Sequence, residues 1–402
     1  MRSNYKRLGD YIQQVDERNR AIEDLPLLGL SISKDLIPSV ANIIGTDLSN
    51  YKIIRNKQFA ISLMQVSRDG KLPVAMFSGE AAIMSPAYPM FEVVDSSVLM
   101  PEYLMMWFSR SEFDREAAYY AVGGIRGNLP WEDFLDMRLP IPTPEKQREI
   151  VAEYNTVQHR IHLNEQLIQK LEETAQAIYR EWFVEFEFPD DEGKPYKSSG
   201  GEMVKSEMGE IPKGWKVITI KELCKEMKSG GTPSRDNLNY WNDKDIPWLK
   251  TGEICNKVLI EAEEYISIEG CNNSSAKVLP VNTVLIAMYG EGKTKGQAGY
   301  LRFEAATNQA CCAMVCKNEY ESTLLYNYLR INQGEIANLA NGGAQPNLSK
   351  ELIENIKIIK PCPKDISKHH FVELINYSEI IERENQKLSE LKELLLSKLA
   401  RG

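Results

Sequence analysis

Histidine is scarce in this chain, with four among 402 residues, and that scarcity closes off one class of chemistry. His159, His162, His369 and His370 fall in stretches that read as helix, where solvated surface positions are expected, so no Ser/His/Asp arrangement can be placed in the globular parts. Cysteine is confined as well. The seven lie between Cys224 and Cys362, an odd number in one part of the chain, which makes no disulfide framework and predicts free thiols. Cys311, Cys312 and Cys316 lack the spacing of a zinc site and read as the filling of a strand core, so no metal is expected. No apolar run is long enough to span a membrane, and the opening MRSNYKRLGD lacks the apolar stretch of a signal peptide, which predicts a cytoplasmic protein with no membrane partner. Positive charge is in deficit too, 48 Lys and Arg against 57 Asp and Glu. The net charge is −9, and an acidic chain taken alone argues against nucleic acid.

Two stretches carry the residue types of catalysis without its spacing. VLIAMYGEGKTKG, residues 284 to 296, has the apolar run, glycines, lysine and threonine of a phosphate loop, but Ala287 stands where the first glycine belongs. A phosphate loop must also open a helix, whose N-terminal amides hold the anion, whereas Tyr300 and Phe303 in the following KGQAGYLRFEAA alternate as in a strand. The run reads as a basic hairpin tip. PDDEGK at 189 to 194 has the carboxylates and lysine of a metal-dependent nuclease, yet such a site needs groups converging from separate elements, and adjacent linker residues cannot do that.

What the chain does have is an internal repeat. GGIRGNLPWEDFLDMRLPIPTP from Gly123 returns as GGAQPNLSKELIENIKIIKPCP from Gly342, an offset of 342 minus 123, or 219, with the glycines, Asn, Leu and two later prolines in register. Each copy runs into a heptad stretch. In the first, Ile150, Val157, Asn164, Leu171 and Ile178 recur every seven residues, with Tyr154, Ile161, Ile168, Ala175 and Trp182 as the companion series. In the second, Leu374, Ile381, Leu388 and Leu395 form a clean series, while Tyr377 and Leu391 alternate with polar Glu384 and Lys398 in the other. A helix from 145 to 183 would run about 58 Å at 1.5 Å per residue. The polar centre, Asn164 in one stretch and Glu384 with Asn385 in the other, is expected to set register at some cost in stability.

Before each heptad stretch lies a segment of mixed α+β patterning. FAISLM and VAMF flank the turn RDG in the first, as TVLIAM and AGYL flank GEGKTKGQ in the second. A short helix is expected after Asn128-Leu129-Pro130 and after Asn347-Leu348-Ser349, each followed by a strand and a proline-rich exit. Residues 184 to 211, with eight acids and three bases, have the composition of an exposed linker and hold more than half of the net negative charge. The expected layout is a domain over 1–143, helix over 144–188, acidic linker over 189–211, a second domain over 212–362 and a helix over 363–402. A coiled-coil scaffold that binds only proteins would explain helices and acidity but leaves the duplicated domains without a task. A self-contained nuclease or methyltransferase would need a metal or cofactor site that the sequence does not offer.

GEIPKGWK, SGGTPSRDNLNYWNDKDIPWLKTGEI, VLIAMYGEGKTKG, ATNQACCAM and GGAQPNLSKELIENIKI together resemble a target recognition domain of the specificity subunit of Type I restriction-modification enzymes. LPIPTPEKQREI and AQAIYREWFVEFEFP resemble that family's central region, while the first domain lacks the GGTPS and IPW blocks. The resemblance implies two tandem recognition domains separated by two long antiparallel coiled-coil helices with a pseudo-two-fold internal repeat. Each domain would read one half of a bipartite asymmetric site on double-stranded DNA, with helix length acting as a ruler for the spacer. The helices would recruit two methyltransferase subunits and, through them, the restriction/translocase subunits. S-adenosylmethionine, ATP and Mg would sit on those partners, leaving this chain without a cofactor or catalytic residue. A methylation-only or differently organised system of the same family would use the chain in the same way. Expected DNA-binding residues are Arg68, Lys71 and Arg126 in the first domain and Arg235, Lys250, Lys293, Lys295, Gln297 and Gln345 in the second. The expected helix-pair seam is Ile150, Tyr154, Val157, Ile161, Asn164, Ile168 and Leu171 against Leu374, Ile381, Leu388, Leu391 and Leu395.

Overall fold

The computed structural model describes residues 5–39, 45–64, 66–121, 127–290, 294–340 and 347–401. It divides into two units, one of Met1–His162 with Lys387–Gly402 and one of Leu163–Gln386. In chain order the first holds β1 (Tyr5–Arg7), β2 (Ile12–Val15), β3 (Leu27–Leu30), β4 (Leu36–Pro38), β5 (Lys52–Arg55), β6 (Phe59–Ile61), α1 (Val66–Asp69), β7 (Val74–Met76), β8 (Ala81–Met84) and β9 (Met90–Val93). Then come α2 (Pro101–Phe108), α3 (Ser111–Tyr120), α4 (Trp131–Asp136), β10 (Arg138–Pro140) and the start of α5 (Pro144–Phe183). Two four-stranded sheets, ordered β2-β9-β6-β7 and β4-β3-β8-β5, carry this unit. FAI and VAM pair antiparallel, and the continuous apolar runs suit strands buried on both faces. Phe59 stacks on Phe91 at 4.9 Å, and Phe108, Phe113 and Phe134 complete the core. Gln147, wholly buried near the start of α5, ties helix to domain: its Nε2 donates to Val98 O and Pro142 O, and its Oε1 accepts from Met100 N.

The second unit continues with β11 (Met203–Ser206), β12 (Gly209–Pro212), β13 (Lys216–Thr219), α6 (Ile220–Leu223), β14 (Cys224–Ser229), β15 (Ile246–Leu249), β16 (Lys257–Leu259), β17 (Glu264–Ile266) and α7 (Ile268–Asn272). After these are β18 (Val284–Ala287), β19 (Ala298–Leu301), β20 (Ala306–Thr307), β21 (Cys311–Cys316), α8 (Glu319–Ile331), α9 (Gln333–Leu339), α10 (Lys350–Glu354), β22 (Lys357–Lys360), α11 (Pro363–Ile366) and α12 (Phe371–Lys398). Its main sheet is ordered β14-β21-β18-β19-β16. Asn318 caps α8 by accepting from Glu321 N, and Glu319 and Glu321 lie where the helix dipole favours acid. Cys311, Cys312 and Cys316 are buried along β21.

Residues 184 to 211 are not the exposed linker their composition suggests. Phe186 and Phe188 are buried, Phe188 stacks on Trp215 at 4.7 Å and on Tyr196 at 4.6 Å, and β11 and β12 form a hairpin. The acids face solvent while the aromatics between them fold inward against Trp182 and Phe183. His369 also departs from expectation. It precedes α12 rather than riding on it, and is buried with its ring 4.4 Å from that of Phe371. His159, His162 and His370 are exposed.

Within the second unit α5 and α12 pair in opposite directions. Asn164 lies beside Asn385, Ala175 shares a core with Ile375, and the Tyr179 and Phe371 rings stack at 6.4 Å. Within the first unit Ile150, Val151 and Tyr154 share a core with Leu396 and Leu399. Val157 and Ile381 are buried, while Ile161, Ile168, Leu171, Leu374, Leu388 and Leu395 are half-buried. Leu391 is 41% exposed and Tyr377 60%, so the apolar members of that series turn outward, while its Glu384 accepts from Asn164. Of the positions one residue later, Ser378 and Leu399 are buried and Asn385 and Lys392 half-buried.

Candidate nucleic-acid interface

Each unit brings two loops together through one backbone hydrogen bond. In the first, Leu129 N donates to Leu63 O at 2.9 Å, joining the segment that leaves the Gly123 repeat to the chain just past β6. In the second, Leu348 N donates to Met288 O at 3.1 Å, joining the segment that leaves the Gly342 repeat to the chain just past β18. Leu129 and Leu348 are buried because each follows the Asn of the repeat and anchors it in a core. Gly127 has φ +73°, and a Cβ there would meet the Ser67 side chain at 3.1 Å, so the returning loop lies against α1.

On the first of these loop pairs Arg68 stands on α1, exposed and bonded to Asp69 at 2.7 Å, and Lys71 is exposed just beyond it. On the second, Lys295 and Gln297 are half-buried in the turn between β18 and β19. The β18 run is followed by an antiparallel strand, which is hairpin geometry rather than strand, loop and helix. Asn256, at φ +55°, holds the turn's exit by accepting from Ala298 N and donating to Gln333 Oε1 on α9. The sequence signal for it was an asparagine, the residue type that tolerates this conformation. Arg126, Lys293 and Gln345 lie outside the described residues.

Arg235 and Lys250 stand elsewhere, in a cluster around Glu264. The Arg235 guanidinium sits 3.5 Å from the Trp241 ring centroid and 5.1 Å from that of Trp248, and donates to Glu264 at 2.6 Å. Lys250 pairs with Glu263 and Glu264 at 3.0 Å each. Burial opposes ionisation of Glu264, but the Arg235 and Lys250 cations hold its carboxyl below the usual range. The cluster explains the SGGTPS stretch: a Cβ on Gly230 would lie 2.2 Å from Asn308 O and one on Gly231 2.2 Å from Ser275 Oγ, so only glycine passes here. Trp248 Nε1 then donates to Gly231 O. Both cations are paired with carboxylates, and both side chains keep exposed surface, 51% for Arg235 and 39% for Lys250.

The α5–α12 seam has a polar centre. Asn164, 2% exposed, donates from Nδ2 to Glu384 Oε2 at 2.9 Å and to Asn385 Oδ1 at 2.8 Å. Among the described residues no group of three or more His, Cys, Asp or Glu is arranged to hold a metal ion, and no helix is long and apolar enough to cross a membrane.

Comparison with known proteins gives these loops their context. Residues 212–393 match the model of the Type I restriction modification DNA specificity domain. The chain is 24% identical over 366 residues to the Type I restriction enzyme HindI specificity subunit of Haemophilus influenzae, covering 77% of this chain and 78% of that one. It is 23% identical over 316 residues to the MjaIX specificity subunit of Methanocaldococcus jannaschii, covering 77% and 70%. The crystal structure of a Type-I restriction-modification system S subunit from M. genitalium shares the fold, with a TM-score of 0.55 at 12% identity over 98% of this chain and 95% of that one. Residues 212–393 thus match a Type I restriction modification DNA specificity domain, and the chain is similar to Type I specificity subunits over most of its length.

Proposed function

We propose that this specificity subunit reads a bipartite asymmetric site on double-stranded DNA, one half with each unit, through the loop pairs joined at Leu129 and Leu348. The observation that carries the reading is the recurrence of one hydrogen bond, Leu129 to Leu63 and Leu348 to Met288, at the same point of a sequence repeat. Repeated loops on duplicated domains suit two half-sites, with Arg68, Lys71, Lys295 and Gln297, together with Arg126, Lys293 and Gln345, as the side chains toward bases and phosphates. Arg235 and Lys250, which also brace the second domain through Glu264, are further side chains toward the DNA.

The two long helices form an antiparallel coiled-coil pair relating the halves by a pseudo-two-fold axis, and they set the spacer. They also recruit two methyltransferase subunits, and restriction/translocase subunits join through these. Leu163 and Leu167 on α5 and Tyr377 and Ile380 on α12 support this role, being 42%, 48%, 60% and 63% exposed, an apolar content that isolated helices in water do not need. S-adenosylmethionine, ATP and Mg belong to those partners, and this chain does no chemistry of its own.

The test is to coexpress the chain with its methyltransferase partner and map modified adenines across a genome. A bipartite motif with a fixed spacer is expected. Modification at one uninterrupted motif, or without sequence preference, would overturn the proposal.

A further inference from the structure

Arg302 follows β19 directly, and its side chain is 17% exposed. Its guanidinium makes four hydrogen bonds: Nε to Glu379 at 2.6 Å, Nη1 to Asn282 and Glu319 at 2.8 Å each, and Nη2 to Asn376 at 2.9 Å. These partners come from two bodies. Asn282 lies in the turn before β18 and Glu319 opens α8, both in the sheet domain, while Asn376 and Glu379 stand three residues apart on one face of α12. Burial opposes ionisation of Glu379, yet the arginine holds its carboxyl below the usual range.

The geometry of the side chain decides what this junction does. A guanidinium is a rigid planar fork, so turning the sheet domain about α12 must break bonds on one side or the other, whereas an ammonium could pivot. The strand that leads into the junction has its own support: it pairs with β18, and Ala298, Tyr300 and Leu301 are wholly buried. The first unit ties its domain to the start of α5 through a neutral side chain, Gln147, bonded to backbone groups, together with the apolar packing of Ile150, Val151 and Tyr154.

We propose that Arg302 is a positioning residue for DNA reading: it fixes the angle at which the sheet domain of the second unit is carried on α12, and thereby the spacer length accepted between half-sites. The inference rests on the bipartite reading above. Without the fork the domain swings, and sites with a spacer one base pair too long or too short become acceptable while the bases read in each half stay the same.

The experiment uses the full chain assembled with its methyltransferase partner, on DNAs carrying the mapped half-sites with the native spacer and with one base pair added or removed. For Arg302→Met, the preference for native spacing should fall about tenfold, the size of an ordinary coupling between sites, with base preference inside each half-site unchanged. Arg302→Lys should not restore it. If Arg302→Met fails to assemble, the double variant Asn376→Ala with Glu379→Gln removes the helix side of the junction, leaves the sheet untouched, and should relax spacing in the same way. Unchanged spacing preference in an assembled variant would overturn the inference, as would loss of base preference along with spacing, which marks general loosening. A wild-type complex that modifies one uninterrupted motif sinks the bipartite reading and the inference with it. Strict wild-type spacing retained by the variants sinks the inference alone.

Discussion

Single side chains in this molecule do work that their residue type does not announce. His369 is the clearest case. Packed against Phe183, Tyr320 and Phe371, it is kept neutral, and desolvation pushes its pKa down to about 4. The unfolded chain binds the proton more readily, at about 6.5. The resulting stability is fully present above pH 6.5 and is lost as pH falls from there toward the folded value, at most about 3 kcal/mol for a shift of this size. Urea midpoints measured between pH 7 and pH 4 should fall for the wild type, and the part due to this group should vanish in His369→Asn. A variant with the same pH slope as the wild type would show that His369 is not the responsible proton. Arg235 makes the same point for function: it is named as a DNA contact from its residue type, and within the domain it also bonds Glu264 and stacks on the Trp241 ring.

At the scale of elements, the sequence was most legible where the period of hydrophobicity was regular. The β6–β7 and β18–β19 hairpins fall where alternating apolar runs flank turn residues, and α4 and α10 follow the two Asn-Leu anchors. α12 was legible as a helix but not in its inward face. Ser378, Asn385 and Lys392 lie where a heptad reading looks for aliphatic residues, and Leu391 drew the register one residue early. Ser378 can be buried because its hydroxyl donates to Leu374 O, and a lysine stem can cover apolar surface while its ammonium reaches water. The loop partners of Leu129 and Leu348 were not legible, because long-range hydrogen bonds leave no periodicity. The polar centre of the seam was. Because Asn164 donates to both Glu384 and Asn385, Asn164→Leu should lower the unfolding midpoint at a cost of about 1 kcal/mol rather than raise it. Adding Asn385→Leu, which puts apolar groups on both sides, should recover part of the loss. An increase in midpoint for the single variant would mean that the hydrogen bonds contribute nothing net.

For the whole molecule, the folded stretch between Trp182 and Trp215 changes what counts as a separable piece. The matched specificity domain begins at residue 212, but Phe183, Phe186 and Phe188, which cover Trp215, and Trp182 packed behind them all come before it. Cutting at 212 strips those rings away, at about 1.5–3 kcal/mol of burial for each. A fragment from 163 to the end should be soluble with a cooperative melt, and one from 212 should bind a hydrophobic dye and aggregate. Equal melting of the two would show the aromatic cover to be dispensable. By composition, an acidic, glycine- and serine-bearing stretch would ordinarily be the natural crossover point between two domains. Here it is a seam that heredity has to respect: a recombination junction inside 184–211 mates the aromatic strap of one parent with the Trp215 surface of another, and only parents whose strap and surface match give a folded hybrid.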